Sequence, residues 1–175
     1  MTGAWIAGYG AATPLGGSTA QSCAALRAGL ARFSPTDRHL CRPADENDPD
    51  MEAPIVSAVD EIEPDADGLE RLLLLALPAL GDALRSAEMR RTDLAAAALY
   101  LVLPARSRPD PPPDPAVFAR ELFRRAALPA PESVTAVLEG HSGFAAAAEA
   151  VIARFAGGAR GTAIVLAVDS LLDRR

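Results

Sequence analysis

Residues 162–168 read Thr-Ala-Ile-Val-Leu-Ala-Val, and residues 95–103 read Ala-Ala-Ala-Ala-Leu-Tyr-Leu-Val-Leu. Both are short, continuous apolar runs, which are typical of strands buried on both faces in a parallel sheet. The run at 162–168 predicts a central strand. Three further strands are predicted: a buried strand at 4–9 that ends in a turn, a short edge strand at 55–59, and an alternating strand at 133–138.

Helical segments separate these strands. Their apolar residues recur every three or four positions, and the predicted bounds are 20–31, 68–89, 116–127 and 142–155. Pro78 lies inside the second helix, so we expect a kink or a restart there. In the first helix, Ser18-Thr19 is the predicted cap, and Cys23, Leu26 and Leu30 share the face expected to be buried. The alternation predicts a single α/β domain over 1–175, with a mainly parallel sheet and helices on both faces.

Composition excludes several classes of function. The net charge of −6 argues against a nucleic-acid surface. No stretch reaches the roughly 18 apolar residues that a membrane span needs, and the first residues lack the pattern of a signal peptide. We therefore expect a cytoplasmic protein with no membrane or nucleic-acid partner. The two cysteines show no disulfide framework or metal spacing, so no cofactor and no metal is predicted.

Some polar segments resemble binding motifs only in part. Cys41 stands beside His39 in a polar loop at 34–53 and is predicted to be an exposed thiol. The acidic run at 45–50 lacks the glycine turn and terminal glutamate of a calcium loop, which favours a solvated loop. Gly8-Tyr-Gly10 follows a predicted strand, but a third glycine at the dinucleotide-binding spacing is absent.

Two polar pairs have both a functional and a structural interpretation. Ser142 beside His141 could be a nucleophile with its base, but neighbours in sequence seldom face each other, and a helix cap is the simpler interpretation. Asp169-Ser170 follows the strand at 162–168. Because sites of α/β proteins lie at carboxyl strand ends, this pair has either a functional role or a structural role in a turn.

Three segments carry a family resemblance: Ile6-Ala-Gly-Tyr-Gly-Ala-Ala-Thr-Pro-Leu-Gly16, Gly140-His-Ser-Gly-Phe-Ala-Ala-Ala-Ala-Glu149, and 163–170. In this order they resemble the N-terminal half of a β-ketoacyl synthase. The resemblance implies a layered, thiolase-like half-domain. The family's catalytic cysteine corresponds to 138–140, which are leucine, glutamate and glycine, and its histidine pair belongs to the other half. The resemblance therefore implies a degenerate homologue without catalysis.

Three functions remain open. Gly140-His-Ser-Gly143 and Val168-Asp-Ser-Leu-Leu-Asp173 also resemble segments of ketosynthase-like accessory proteins of bacterial type VI secretion loci, which implies a non-catalytic protein that binds another protein. The second possibility is an inactive partner subunit of a fatty-acid or polyketide synthase. The third is an acyltransferase with unrecognised chemistry, for which His141 and Ser142 are the candidate residues.

The resemblance also implies an interface. In the family, the strand that corresponds to 134–138 lies at the edge of the half-sheet and pairs with its copy across a dimer axis. A homodimer or a heteromeric protein complex is therefore expected. The predicted interface residues are Val134, Ala136, Val137, Leu138 and Phe144.

Overall fold

Strands and helices alternate along the chain. The computed structural model describes residues 4–36, 53–63, 65–108, 111–170 and 172. The elements of these residues are α1 (Thr19–Arg27), β1 (Ser34–Pro35), β2 (Ile55–Val56), α2 (Gly68–Ser86), β3 (Ala97–Val102), α3 (Pro115–Arg125), β4 (Ser133–Val137), α4 (Gly143–Ala156) and β5 (Thr162–Ala167). The chain is thus a mixed α/β protein, as predicted. Among the helices described here, none has the length and apolar character that crossing a membrane requires.

The three longer strands form a parallel sheet in the order β4–β3–β5. Leu99 of β3 lies opposite Val134 on one side and Ile164 on the other. The centre of the sheet is β3, which is buried along its whole length. The prediction that 162–168 is the central strand is wrong, because within the described residues β5 pairs with β3 alone. The predicted edge strand at 55–59 is observed only as the two-residue strand β2, which pairs with β1 in a separate sheet.

Helices cover both faces of the sheet. On one face, α2 and α3 bury an apolar core against the strands, and its largest fully buried members are Phe118, Leu72, Leu73, Leu99, Leu101, Leu103 and Leu122. On the other face, Ala147 of α4 packs against Tyr100 and Val102. Helix α2 continues through Pro78, so the predicted restart there is wrong. Leu73 and Leu80 are buried on either side of the proline, and their packing holds one helix across it.

The predicted buried strand at 4–9 is wrong. Trp5 and Ile6 are each 85% exposed, and the segment has no strand partner. This segment and Gly10, which follows it, lie along α2 instead, because Gly8 and Gly10 allow a close approach of the two backbones. A Cβ at Gly8 would lie 2.5 Å from the backbone nitrogen of Ala87, and a Cβ at Gly10 would overlap the backbone of the same helix. Gly8-Tyr-Gly10 therefore serves helix packing rather than a strand-to-turn transition.

Helix α1 begins as predicted, since the Ser18 hydroxyl accepts a hydrogen bond from the Gln21 N–H at 3.3 Å. Its buried face differs from the prediction: Leu26 is 64% exposed and Leu30 is 59% exposed. The inward side carries Ser22, whose hydroxyl lies 2.8 Å from Thr13 Oγ1 in the preceding turn. With Ser22 inward, Leu26 points outward, and Leu30 lies beyond the helix, which ends at Arg27 and not at the predicted residue 31.

The predicted roles of the cysteines have different outcomes. Cys23 is only partly buried, so the prediction of a core position is wrong, because the rotation of α1 places Ser22 and Ala25 inward instead. Cys41, His39 and the acidic run at 45–50 lie outside the described residues. Their predicted roles therefore stay predictions.

Candidate functional site

The carboxyl end of the sheet brings together the loops that follow β3, β4 and β5. Backbone hydrogen bonds continue past the strand ends and join these loops. The Gly140 N–H donates to the Leu103 carbonyl oxygen at 3.0 Å, and the Val168 N–H donates to the Val102 carbonyl oxygen at 3.0 Å. Ligand sites of α/β proteins lie at this position, so the polar groups here are the first candidates for a functional site.

We use the name carboxyl-end cluster for the polar side chains at this end of the sheet, which are Arg71, Arg108, Ser142, Asp169 and Ser170. Asp169 is the centre of this cluster. Its Oδ1 accepts a hydrogen bond from Arg108 Nη1 at 2.6 Å and from the Ser170 N–H at 2.8 Å. Gly140 lies against the same carboxylate, and a Cβ there would approach Asp169 Oδ2 to 3.3 Å. The φ of Gly140 is +61°, a conformation that residues with side chains rarely adopt. The ion pair of Arg108 and Asp169 therefore ties the loop after β3 to the end of β5.

Ser170 is tied to α2 by a buried arginine. Arg71 is 4% exposed, and its Nε donates to Ser170 Oγ at 2.9 Å. The same hydroxyl oxygen accepts the Leu172 N–H at 3.2 Å. The sequence indicated Ser170 but not Arg71, because the two lie 99 residues apart. The available signal was an arginine within the leucine-rich stretch of α2, since a buried arginine needs polar partners.

His141 and Ser142 occupy a 3₁₀ turn, Gly140–Ser142, and both are exposed. The Ser142 hydroxyl donates to the Glu139 carbonyl oxygen at 2.9 Å. Its single proton is thus directed to the backbone and not to a histidine base. Ser142 occupies the N-cap position of α4, as predicted, but its Oγ accepts no N–H from the first turn of the helix. The hydroxyl stabilises the turn that leads into the helix.

Positions 138–140 have three different surroundings. Leu138 packs against the core under α2 and α3, Glu139 is exposed, and Gly140 faces Asp169. A nucleophile that accepts an acyl group needs an accessible thiolate or hydroxyl with a group that activates it. None of these three residue types provides one.

The outer edge of β4 is open within the described part of the chain, because the sheet order places β3 on one side only. Of the predicted interface residues, Val134 is 41% exposed, Ala136 is exposed and Val137 is partly buried. Phe144 is 53% exposed on α4. Gly143, next to it, packs closely on Val137, since a Cβ there would lie 3.0 Å from Val137 Cγ1.

A groove with a volume of about 620 Å³ runs between α3 and β4. Ala119, Phe123, Val134 and Ala136 are among its apolar lining residues, and its charged residues are Asp114, Arg120 and Arg124. Two of these charges are already paired: Asp114 Oδ1 accepts the Ala116 and Val117 N–H groups at the start of α3, and Arg124 binds Glu121 at 2.6 Å. We call this feature the α3–β4 groove. The α3–β4 groove was not predicted from the sequence. Its shape depends on how a helix and a strand pack together, and local sequence patterns do not indicate this packing.

The helix that borders this groove is held to α2 by charges. Arg125 Nη1 and Nη2 each bind one oxygen of Glu70 at 2.7 Å, and Arg125 Nε binds Glu121 at 2.7 Å. Hydrogen bonds from Arg124 and then Arg125 lower the pKa of Glu121 to about 2. The hydrogen bond from Arg125 also lowers the pKa of Glu70. Both carboxylates are therefore ionised at neutral pH, and the pairing fixes the wall of the α3–β4 groove.

The described residues contain no group of three or more histidine, cysteine, aspartate or glutamate side chains that could hold a metal ion. The polar groups of the carboxyl-end cluster bond to one another, which is chemistry suited to joining loops. A comparison of the chain with protein-family models, with curated proteins and with solved structures finds no match.

Proposed function

We propose that this chain is a non-catalytic, ketosynthase-like protein that acts by binding another protein, as an accessory or adaptor protein in the cytoplasm. The observation that carries the proposal is the open edge of β4, which is exposed over Ser133–Ala136. The finer assignment of a thiolase-like half-domain rests on the sequence resemblance and is part of this proposal.

The backbone direction of β4 can be assigned from one bond. The Leu103 N–H donates to the Val137 carbonyl oxygen at 3.0 Å, so the polar groups of Val137 face β3. Backbone groups alternate in direction along a strand, so those of Thr135 face β3 too. The N–H and C=O groups of Val134 and Ala136 therefore point away from the sheet, toward the open edge.

The residue types of β4 do nothing to block pairing. Its five residues are serine, valine, threonine, alanine and valine, without a charge or a proline. Natural edge strands commonly carry lysine, proline or a bulge, because an unprotected edge recruits another strand. An unprotected edge of this kind supports a role in protein binding.

The carboxyl-end cluster supports the non-catalytic part of the proposal. Ser142 donates to a backbone carbonyl, Asp169 is paired with Arg108, and Ser170 is paired with Arg71. Incubation with radiolabelled acyl-carrier thioesters should leave the protein unlabelled. Stoichiometric formation of an ester or thioester on any residue would overturn this part.

The binding edge is tested by removing one outward donor. Ala136→Pro removes the N–H of Ala136 without removing a bond to β3, whereas Ala136→Ser keeps that N–H and is the matched control. We expect the proline variant to lose self-association or capture of the native partner, and the serine variant to keep it. Sedimentation velocity and native pull-down are the measurements. A wild-type monomer at high concentration with no captured partner would refute the proposal.

A second candidate function is favoured by the outer surface of α4. Phe144 is 53% exposed and Ile152, two turns later on the same face, is 62% exposed. An inactive partner subunit of a condensing enzyme would cover this surface with the active chain. A photo-crosslinking residue at position 144 should then link to a co-purified ketosynthase subunit. Crosslinks at the β4 edge alone would instead favour the adaptor function.

A further inference from the structure

We propose that the β4 edge binds an extended segment of a different protein, which adds as a strand beside β4. The segment places alternate apolar side chains in the α3–β4 groove and a carboxylate next to Arg120. This inference rests on the proposed function, because it names the chemistry of the partner that the β4 edge would bind.

The backbone groups of the β4 edge determine the conformation of the occupant. The outward N–H and C=O groups of Val134 and Ala136 need partners with the spacing of a strand. A helix has already used its own backbone groups internally and satisfies none of them. A strand added to a sheet edge meets both requirements, since main-chain bonds give affinity and side-chain pockets give specificity.

The α3–β4 groove determines which side chains the added strand carries. Val134 and Ala136 line the groove, and residues directly opposite each other on neighbouring strands share a face of the sheet. The side chains beside these two residues therefore extend over the groove, toward Ala119 and Phe123. Ser133 and Thr135 point to the other face and offer hydroxyl groups. The occupant is thus an alternating segment, apolar toward α3 and polar toward α4.

Charge distinguishes a different protein from a second copy. Arg120 is exposed at the rim of the groove and forms no ion pair with the residues that the structure describes. The groove's uncommitted charge is therefore positive. A second copy related by a two-fold axis at β4 would bring its own α3 to the same face of the sheet, and its own Arg120 with it. Like charges disfavour that arrangement, whereas an acidic segment is attracted.

The probe for this proposal is the fluorescently labelled peptide Thr-Val-Thr-Glu-Thr-Val-Thr, whose valines and glutamate lie on one strand face. The same peptide with lysine in place of glutamate is its control. We expect fluorescence anisotropy to show binding of the glutamate peptide about threefold or more tighter than the lysine peptide. Arg120→Glu should invert this order, and Arg160→Glu, a charge change at a distant exposed site, should leave it unchanged. Equal affinity of both peptides for the wild type and the Arg120 variant would overturn the assignment of an acidic partner.

Strand addition itself is tested on both molecules. Ala136→Pro should abolish peptide binding while its circular dichroism spectrum stays native. A glutamate peptide with ester bonds in place of alternate N–H groups should also lose binding, which keeps the test independent of the variant's folding. Peptide binding that survives both changes would refute strand addition. If no peptide binds but self-association still depends on Ala136, the further inference fails in favour of a second copy and the proposed function stands. If neither is seen, both fail.

Discussion

At the scale of single residues, Gly10 and Gly81 have opposite surroundings. A Cβ at Gly10 would overlap the backbone of α2, whereas a Cβ at Gly81, within α2, has nothing within 4 Å. We predict that Gly10→Ala lowers the free energy of unfolding by about 1–3 kcal/mol through overpacking. Gly81→Ala should raise it by about 0.5–1 kcal/mol, because alanine is the better residue inside a helix. Urea unfolding measures both. A Gly10→Ala protein as stable as the wild type would contradict the close approach of Gly10 to α2.

At the candidate site, the sequence predicted the positions of single residues but not their hydrogen-bond partners. Asp169 and Ser170 were predicted at the carboxyl end of a strand, and His141 and Ser142 were predicted at the start of a helix, where the structure places them. Their partners were not, because Arg71 lies 99 residues from Ser170 and Arg108 lies 61 residues from Asp169. The first pairing depends on how α2 packs on the sheet and the second on β3 and β5 being neighbours, and no local pattern encodes either.

At the scale of elements, Asp82 of α2 holds the N-terminal segment and α1 in place. Its Oδ2 accepts the Thr19 N–H at 2.8 Å and the Ala11 N–H at 3.4 Å. The pKa of Asp82 is lowered below its ordinary value of 3.8, and the hydrogen bond from the Thr19 N–H is the main cause. We predict that Asp82→Asn lowers the free energy of unfolding by about 1–3 kcal/mol at neutral pH, since an amide oxygen accepts these bonds less strongly.

The sign of the pH dependence follows from the lowered pKa of Asp82. At pH values between the folded-state pKa of Asp82 and its ordinary pKa of 3.8, the unfolded chain binds more protons than the folded chain. The stability that Asp82 contributes is therefore complete above about pH 3.8 and is lost as the pH falls through the folded-state pKa. The difference in stability between the wild type and Asp82→Asn should be constant from about pH 6 to 8 and should narrow below about pH 4. Urea unfolding across this range measures it. A constant difference down to pH 2 would show that the two N–H bonds do not depend on the charge.

Elements were predicted well where one pattern sufficed. The apolar run of β3 and the helical periodicity of α3 and α4 gave elements within a few residues of those observed. The segment 4–9 has a strand-like composition, but Gly8 and Gly10 fit the small residues of α2, and this contact outweighs the local preference. Strand composition describes what a segment can bury, and not the element against which it is buried.

At the scale of the whole molecule, the sheet is covered unevenly. Among the described residues, one face has two helices, α2 and α3, and the other has α4 alone, which contacts the strands through the small residues Gly143 and Ala147 and through Val151. Such small residues bring α4 close to the sheet and leave its larger side chains outside. Within the described residues, the β4 edge and the outer face of α4 are both exposed, which supports the proposal of a chain that works within an assembly.

The outer face of α4 gives the last prediction. Phe144→Asp combined with Ile152→Glu should lower the free energy of unfolding of the isolated chain by about 1–2 kcal/mol, because more than half of each side chain is already exposed. The same change should weaken any assembly that uses this face, because it places charges in the contact. Ala147→Asp, on the buried face of the same helix, is the matched control and should cost about 3 kcal/mol or more through burial of an unpaired charge. Urea unfolding and sedimentation equilibrium measure the two effects. Destabilisation of the isolated chain by the double variant as severe as that by Ala147→Asp would show that the outer face is buried within the monomer, and would remove the main support for a partner subunit on α4.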